Sequence, residues 1–203
     1  MRPLAIISAN QTLKKEMNEY LKSFNLFTNI EINDFLELSE PILLKKGDLY
    51  INNNEICDSI AFVKSGIFRS YYFSNNDDEI TYCFTFPNKL LMAYSSFISQ
   101  KKSEENIQAL TDAEIITIPK ETLENLAKSN SNWLRFLKTI AEKEYVELEK
   151  WIFNHQKDKA QQRYLDLITT QPEYIKEIPL HYIASYLGVT QRHLSRIRAN
   201  IKY

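Results

Sequence analysis

Histidine occurs three times in 203 residues and never before position 155. A metal-dependent enzyme built in a small β-barrel needs two or three histidines and a carboxylate converging inside it, and the chain before His155 has no imidazole to supply them. No serine, cysteine or lysine has a visible activating base in the sequence, so no catalytic residue is assigned and the chain is read as a non-enzyme. Cysteine is almost as scarce: Cys57 and Cys83 lie 26 positions apart, form no CxxC pair and have no histidine near either. They read as reduced thiols, with no disulfide and no metal site. Apolar runs are short. Leu4–Ile7 is the apolar run of the N-terminus, and nothing in the chain approaches the ~18 uninterrupted apolar residues of a membrane span. A soluble, cytoplasmic, unexported protein without a membrane partner is expected. Glycine is limited to Gly47, Gly66 and Gly188. A chain that rations glycine this severely is expected to place each where the backbone leaves no alternative.

What is present begins with an apolar content of 44%, enough to bury a substantial core. The net charge of −1 hides an uneven split. From Lys157 onward the balance is +4, which leaves −5 on the rest of the chain. A basic C-terminal block on a mildly acidic body suggests a small nucleic-acid module attached to something with another job.

That block ends in Ile178–Ile201. Leu180, Ile183, Ala184 and Leu187 fall on one helical face, Gly188 follows at once, and Leu194, Ile197 and Ile201 mark the inner face of a second helix. Helix, tight turn and helix is the reading, with Gly188 in the left-handed conformation of the turn, Val189 plugging the angle and Thr190 as N-cap of the second helix. Thr190–Tyr203 holds four basic residues and no acidic one. Gln191, Arg192 and Arg196 stand on the outward face as candidate readers of base edges. Thr190, Ser195, Arg198 and Lys202 are candidate phosphate contacts.

Upstream, Thr12–Phe24 carries an amphipathic helical pattern, and Asn33–Leu38 a second helical piece. From Pro41 the sequence breaks into short β-branched and aromatic runs: Ile42–Leu44, Leu49–Asn52, Ser59–Ser65, Ile67–Phe73, Glu79–Phe86 and Ala113–Ile118. Turn signals every eight to twelve residues predict an antiparallel barrel or sandwich. Lys120–Ala127 is a short helix. Trp133–His155 is a long one, roughly 34 Å, with a stripe of Trp133, Leu137, Ile140, Glu144, Leu148, Trp151 and His155, and a flanking stripe of Leu134, Ala141, Tyr145 and Ile152. Two apolar stripes imply burial on more than one side; one side can pack on the barrel and the other needs a partner. Lys159–Thr170 is a further helix, Ile175–Ile178 a short extended segment, and Pro179 opens the helix–turn–helix.

Taken in order, these parts resemble the Crp/Fnr superfamily of bacterial transcription regulators, on Leu44-Lys45-Lys46-Gly47-Asp48, on Ile60–Arg69 around Gly66, and most specifically on Ile183–Ile197. The resemblance implies an α+β fold: an N-terminal antiparallel, jelly-roll, cyclic-nucleotide-binding-like β-barrel with flanking helices (1–128), a long dimerisation helix (129–156) and a C-terminal winged-type helix–turn–helix (157–203). It implies a homodimer on double-stranded DNA, joined through Trp133, Leu137, Ile140, Glu144, Leu148 and Trp151, with RNA polymerase as a candidate partner. A wing would continue past the second helix, where this chain stops at Tyr203, so a truncated wing is expected.

Departures from the family pattern bear on the effector. Members that bind cyclic AMP carry a Gly-Glu pair followed by Arg-Ser or Arg-Thr, whereas Leu91–Phe97 and Ser103–Ile107 here contain no glycine and no arginine, and place Glu104 and Glu105 where a cation is needed. Two cysteines cannot hold the cluster of the oxygen-sensing branch, and no histidine lies in the barrel to ligate haem; no cofactor is assigned. Arg69, Tyr71, Tyr82, Tyr94 and Ser95 are either the lining of a pocket for an unknown small-molecule effector or ordinary barrel residues with exposed polar tips. The alternative to a regulator is a ligand-sensing or protein-interaction module whose helix–turn–helix no longer reads DNA.

Overall fold

The computed structural model describes residues 15–201. Leu4–Ile7, the Thr12–Lys14 start of the first helix, and Lys202 lie outside the described residues. The chain divides into two compact units: one takes the chain up to Ser70 with Phe84–Ile140, the other takes Tyr71–Cys83 with the chain from Ala141. These limits differ from those read in the sequence, because a hairpin tip from the middle of the barrel segment groups with the C-terminal helices and the long helix is divided after Ile140.

The first unit opens with α1 (residues 15–22), which buries Met17 and Leu21. Next comes α2 (Asn29–Glu37), which begins four residues before the sequence pattern because Thr28 and Glu31 form a capping box. Eight strands follow: β1 (Glu40–Leu44), β2 (Leu49–Ile51), β3 (Ser59–Ser65), β4 (Phe68–Phe73), β5 (Glu79–Thr85), β6 (Leu90–Leu91), β7 (Glu105–Ala109) and β8 (Ala113–Pro119), with α3 (Tyr94–Ser99) between β6 and β7. They form two four-stranded sheets in the orders β1-β8-β3-β6 and β2-β7-β4-β5, a jelly-roll barrel. Pro41 is tolerated in β1 because that strand is at an edge and pairs only with β8, Pro41 standing opposite Ile116.

The elements from β6 to β7 were absent from the sequence reading. Strand β7 reads Glu-Asn-Ile-Gln-Ala, and only Ile107 and Ala109 turn inward, so it offers no apolar run. Gly66 (φ 89°) is irreplaceable for two reasons: its backbone is left-handed, and a Cβ there would lie 2.4 Å from that of Ala113.

After α4 (Lys120–Ser129), Asn130 alone separates it from α5 (Ser131–Lys157), and the Asn130 side-chain oxygen receives the amide of Asn132 at 2.8 Å. The early part of α5 completes the first unit's core. Trp133 stacks on Phe35 at 4.4 Å and packs on Phe27 at 4.1 Å, while Phe136 meets Phe24 at 4.9 Å.

In the second unit, α6 (Ala160–Thr170) buries Tyr164 and Leu167. The segment expected to be extended at Ile175–Ile178 is instead helical, as α7 (Pro172–Glu177), with only Ile178 extended at its C-cap. Pro172 occupies the first turn, where its missing N–H costs nothing, and Glu173 favours the same helix start, so the proline that ends α6 begins α7. Then come α8 (Leu180–Tyr186) and α9 (Gln191–Asn200).

Candidate nucleic-acid interface

Helix α8 buries Ile183 and Ala184, and its C-cap Leu187 is also buried. It closes in a Schellman turn: the amide of Val189 donates to Ala184 O at 2.9 Å and that of Gly188 to Ser185 O at 2.9 Å, with Gly188 at φ 66°. A Cβ at Gly188 would meet nothing closer than the Arg163 Nη2 at 3.8 Å, so glycine is required there by its conformation and not by space. The two carbonyls that the Schellman turn leaves over are received by side chains. His155 Nε2 lies 3.1 Å from Tyr186 O, and Arg163 Nη2 donates to Leu187 O at 2.7 Å.

Thr190 then caps α9, its hydroxyl accepting from His193 N at 3.2 Å. Leu194 and Ile197 are buried beneath the helix. Gln191, Arg192, Ser195, Arg196 and Arg198 are all exposed, as is Thr190, and α9 contains no acidic residue. Arg192 and Arg196, one turn apart, lie on the same exposed side. The arrangement offers two forked cationic donors and an amide on one face of a helix held from behind by apolar packing. Of the residues expected to contact DNA, all but Lys202 are described.

The residues expected at a dimer interface do not stay together. Trp133 and Ile140 are only 2% and 4% exposed, inside the first unit's own core, and Leu137 is half-buried against that core. Trp133 is spent on folding because α2 and the chain before it supply Phe35 and Phe27 to cover it. In the second unit Glu144 and Leu148 are exposed and Trp151 is half-buried, its ring stacked on His155 at 4.0 Å. The apolar stripe left open in this part of α5 is Tyr145, Leu148 and Ile152, with half-buried Ala141 at its head. That is the flanking stripe of the sequence, plus Leu148.

The five candidate pocket residues lie on β4, β5 and α3. In β4, Phe68 enters the core, so Arg69 and Tyr71 occupy the opposite face of the strand. Arg69 is nonetheless fully buried, and its Nη2 donates to Gln108 Oε1 at 3.2 Å. Tyr82 pairs with Tyr72, ring centroids 6.3 Å apart, and so stands on the other face of the hairpin from Tyr71. Tyr94 packs partly into the core and Ser95 is exposed; the buried hydroxyl of α3 is that of Ser96, which accepts from Cys57 N at 3.0 Å and donates to Lys101 O at 2.6 Å. Burial pushes the Cys57 thiol above its ordinary range.

Residues 41–130 match the cyclic nucleotide-binding domain family. No curated protein matches the chain in sequence. Among solved structures the chain is similar to FixK2 from Bradyrhizobium japonicum at 18% identity and a TM-score of 0.69, over 79% of this chain and 83% of that one. It is similar to a protein assigned to the Crp/Fnr family of transcriptional regulators from Eubacterium rectale at 20% identity and a TM-score of 0.68, over 88% and 85%. A third similarity is to the c-di-GMP-responsive global regulator CLP from Xanthomonas campestris, at 16% identity and a TM-score of 0.66, over 83% and 88%. The chain has the fold of these solved structures, and its residues 41–130 match the cyclic nucleotide-binding domain family. Within that fold, sequence reasoning missed the two side chains that meet the last carbonyls of α8. In the sequence His155 is the last step of an apolar stripe and Arg163 carries no signal of its own; the carbonyls they meet lie 24 to 31 positions away.

Proposed function

We propose that this Crp/Fnr-fold chain is a homodimeric, sequence-specific DNA-binding transcription regulator whose barrel is a regulatory body that does not take cyclic AMP. The observation that carries the reading is the face of α9: Gln191, Arg192 and Arg196 exposed over a fully apolar back of Leu194 and Ile197, with no carboxylate on the helix. Arg192 and Arg196 can each fork to O6 and N7 of a guanine, and Gln191 suits an adenine. Thr190, Ser195, Arg198 and Lys202 suit phosphates, which fix register without reading sequence. The second copy is supplied through the open stripe of α5, Ala141, Tyr145, Leu148 and Ile152, spaced as one side of a helix requires.

Two α9 helices related by a twofold would enter successive major grooves about 34 Å apart and select an inverted repeat with half-site centres one helical turn apart. The test is selection from a random duplex library by the full-length protein, followed by sequencing. Enrichment of such a repeat is expected; retention of DNA without any enriched sequence, or no retention at low salt, would overturn the reading.

A further inference from the structure

The joint behind α9 contains a side chain whose bonding depends on its proton. His155, in the last turn of α5, has Nδ1 2.9 Å from Trp151 O and Nε2 3.1 Å from Tyr186 O. Both neighbours are carbonyl oxygens, which only accept. A neutral imidazole carries one N–H, so it can satisfy one of them and must turn a lone pair toward the other; the imidazolium carries two and satisfies both. Tyr186 O lies in the last turn of α8, the end at which a cation is favoured. We propose that His155 is a positioning residue that acts as a proton-operated clip: protonated, it ties α5 to the end of α8 and fixes the pose of the reading helix; neutral, it releases one of the two.

The surroundings of the ring are compatible with that role. Trp151 stacks on it at 4.0 Å from α5 and the Tyr186 ring meets it edge-on at 6.4 Å from α8. Burial holds the Tyr186 phenol up to about 12 and that of Tyr174, on α7, higher still, so neither contributes charge near neutrality. From β5 the thiol of Cys83, and from α5 the carboxylate of Glu147, act on the Tyr186 phenol, both raising it. The fixed charge nearest in the bonding pattern is Arg163 of α6, on Leu187 O, the carbonyl next to the one His155 meets. The division of labour is then a permanent cation on Leu187 O and a titratable one on Tyr186 O. The direction follows from the donor count: the clip is closed while the ring carries both protons and opens when one is lost.

The inference rests on the DNA-binding reading, so its test has one arm that needs no DNA. The full-length protein carries His181→Gln and His193→Gln throughout, because His193 on α9 could titrate against phosphate. In the first arm, amide hydrogen exchange at Leu187, Gly188 and Val189, corrected for intrinsic rates, is measured at pH 6 and pH 8 with and without His155→Gln. In the second, affinity for the library-selected duplex is measured at the same pH values. With His155 present, protection and affinity are expected to fall about tenfold from pH 6 to pH 8, the worth of one charge-assisted hydrogen bond; glutamine, which does not titrate, is expected to remove both slopes. Flat protection with His155 present, or a slope that survives in His155→Gln, overturns the clip. Sloped protection with flat affinity overturns its control of the reading helix. Sloped protection with no duplex bound at either pH upholds the clip and sinks the DNA-binding reading instead. Should His155→Gln fail to fold, titration of the His155 ring nitrogens by nuclear magnetic resonance in the parent decides: uptake of a second ring proton without a change at the amides of Leu187–Val189 overturns it.

Discussion

The hydroxyl of Ser185, in α8, receives the backbone amide of Thr81 at 2.9 Å. The same hydroxyl donates to the carbonyl of Glu79 at 3.1 Å, so one side chain closes two open positions on β5, which is the edge of its sheet. An open strand edge invites pairing with other chains, and here Ser185 of α8 occupies it. Ser185→Ala should therefore leave the Thr81 amide without a partner and cost about 1–2 kcal/mol. Faster exchange of the Thr81 amide, with the amides of β3 unchanged, is the measurement; unchanged exchange at Thr81 would show that the bond carries no weight.

The two halves of α5 should respond oppositely to substitution. Tyr145→Glu with Leu148→Glu alters exposed residues and should leave thermal stability within about 0.5 kcal/mol while sedimentation shows a monomer. Trp133→Ala opens the core against Phe35 and Phe27 and should cost about 3–5 kcal/mol. A glutamate pair that leaves the dimer intact would move the interface elsewhere.

Arg196 and Arg198 should separate sequence reading from attraction. Arg196→Ala is expected to cost about 1–3 kcal/mol on the selected repeat and to relax preference at one base pair of each half-site. Arg198→Ala should weaken selected and scrambled duplexes alike and reduce the salt slope. Equal losses on both duplexes for both variants would make α9 a basic patch and nothing more.

The match of residues 41–130 to the cyclic nucleotide-binding domain family invites a test with cyclic AMP and cyclic GMP. Arg69 is the only arginine in that segment, and it stands on the face of β4 opposite the core residue Phe68. Glu104 is exposed and Glu105 half-buried where a phosphate would need a cation. Titration calorimetry at millimolar nucleotide should give no saturable heat; a micromolar Kd for either would show a phosphate site built from other residues.

The capping box of α2 should be visible at acid pH. The Thr28 backbone amide, donating at 2.7 Å, and then its hydroxyl hold the Glu31 carboxyl below the ordinary glutamate range, and Asn130 Nδ2 also reaches it. A carboxyl lowered in the folded state adds stability above its unfolded pKa and loses it as pH falls through the folded value. Glu31→Gln should therefore differ from the parent at neutral pH and converge with it in acid, and Thr28→Ala should cost about 1 kcal/mol at pH 7. Parallel stability curves across the acid range would contradict this.

The sequence by itself determined the elements whose information is local. Gly188, Thr190 and the 3–4 spacing of Leu194 and Ile197 specify a helix–turn–helix because turn conformation, capping and amphipathicity each depend on residues within a few positions of one another. The barrel was legible for the same reason wherever its strands were apolar, and illegible at β7, where Asn106 is buried by a bond to Asn53, 53 positions away, and not by any preference of its own. Only the tertiary structure decided which stripe of α5 is open, since Trp133 and Ile140 are as apolar as Tyr145 and Leu148 and the difference lies in what packs over them: Phe27 and Phe35 on Trp133, and the first unit's core around Ile140. It also decided the role of His155. Burial and hydrogen bonding at a site depend on everything that converges there, and the carbonyl of Tyr186 that gives this histidine its two-acceptor environment is brought to it by the path of three helices.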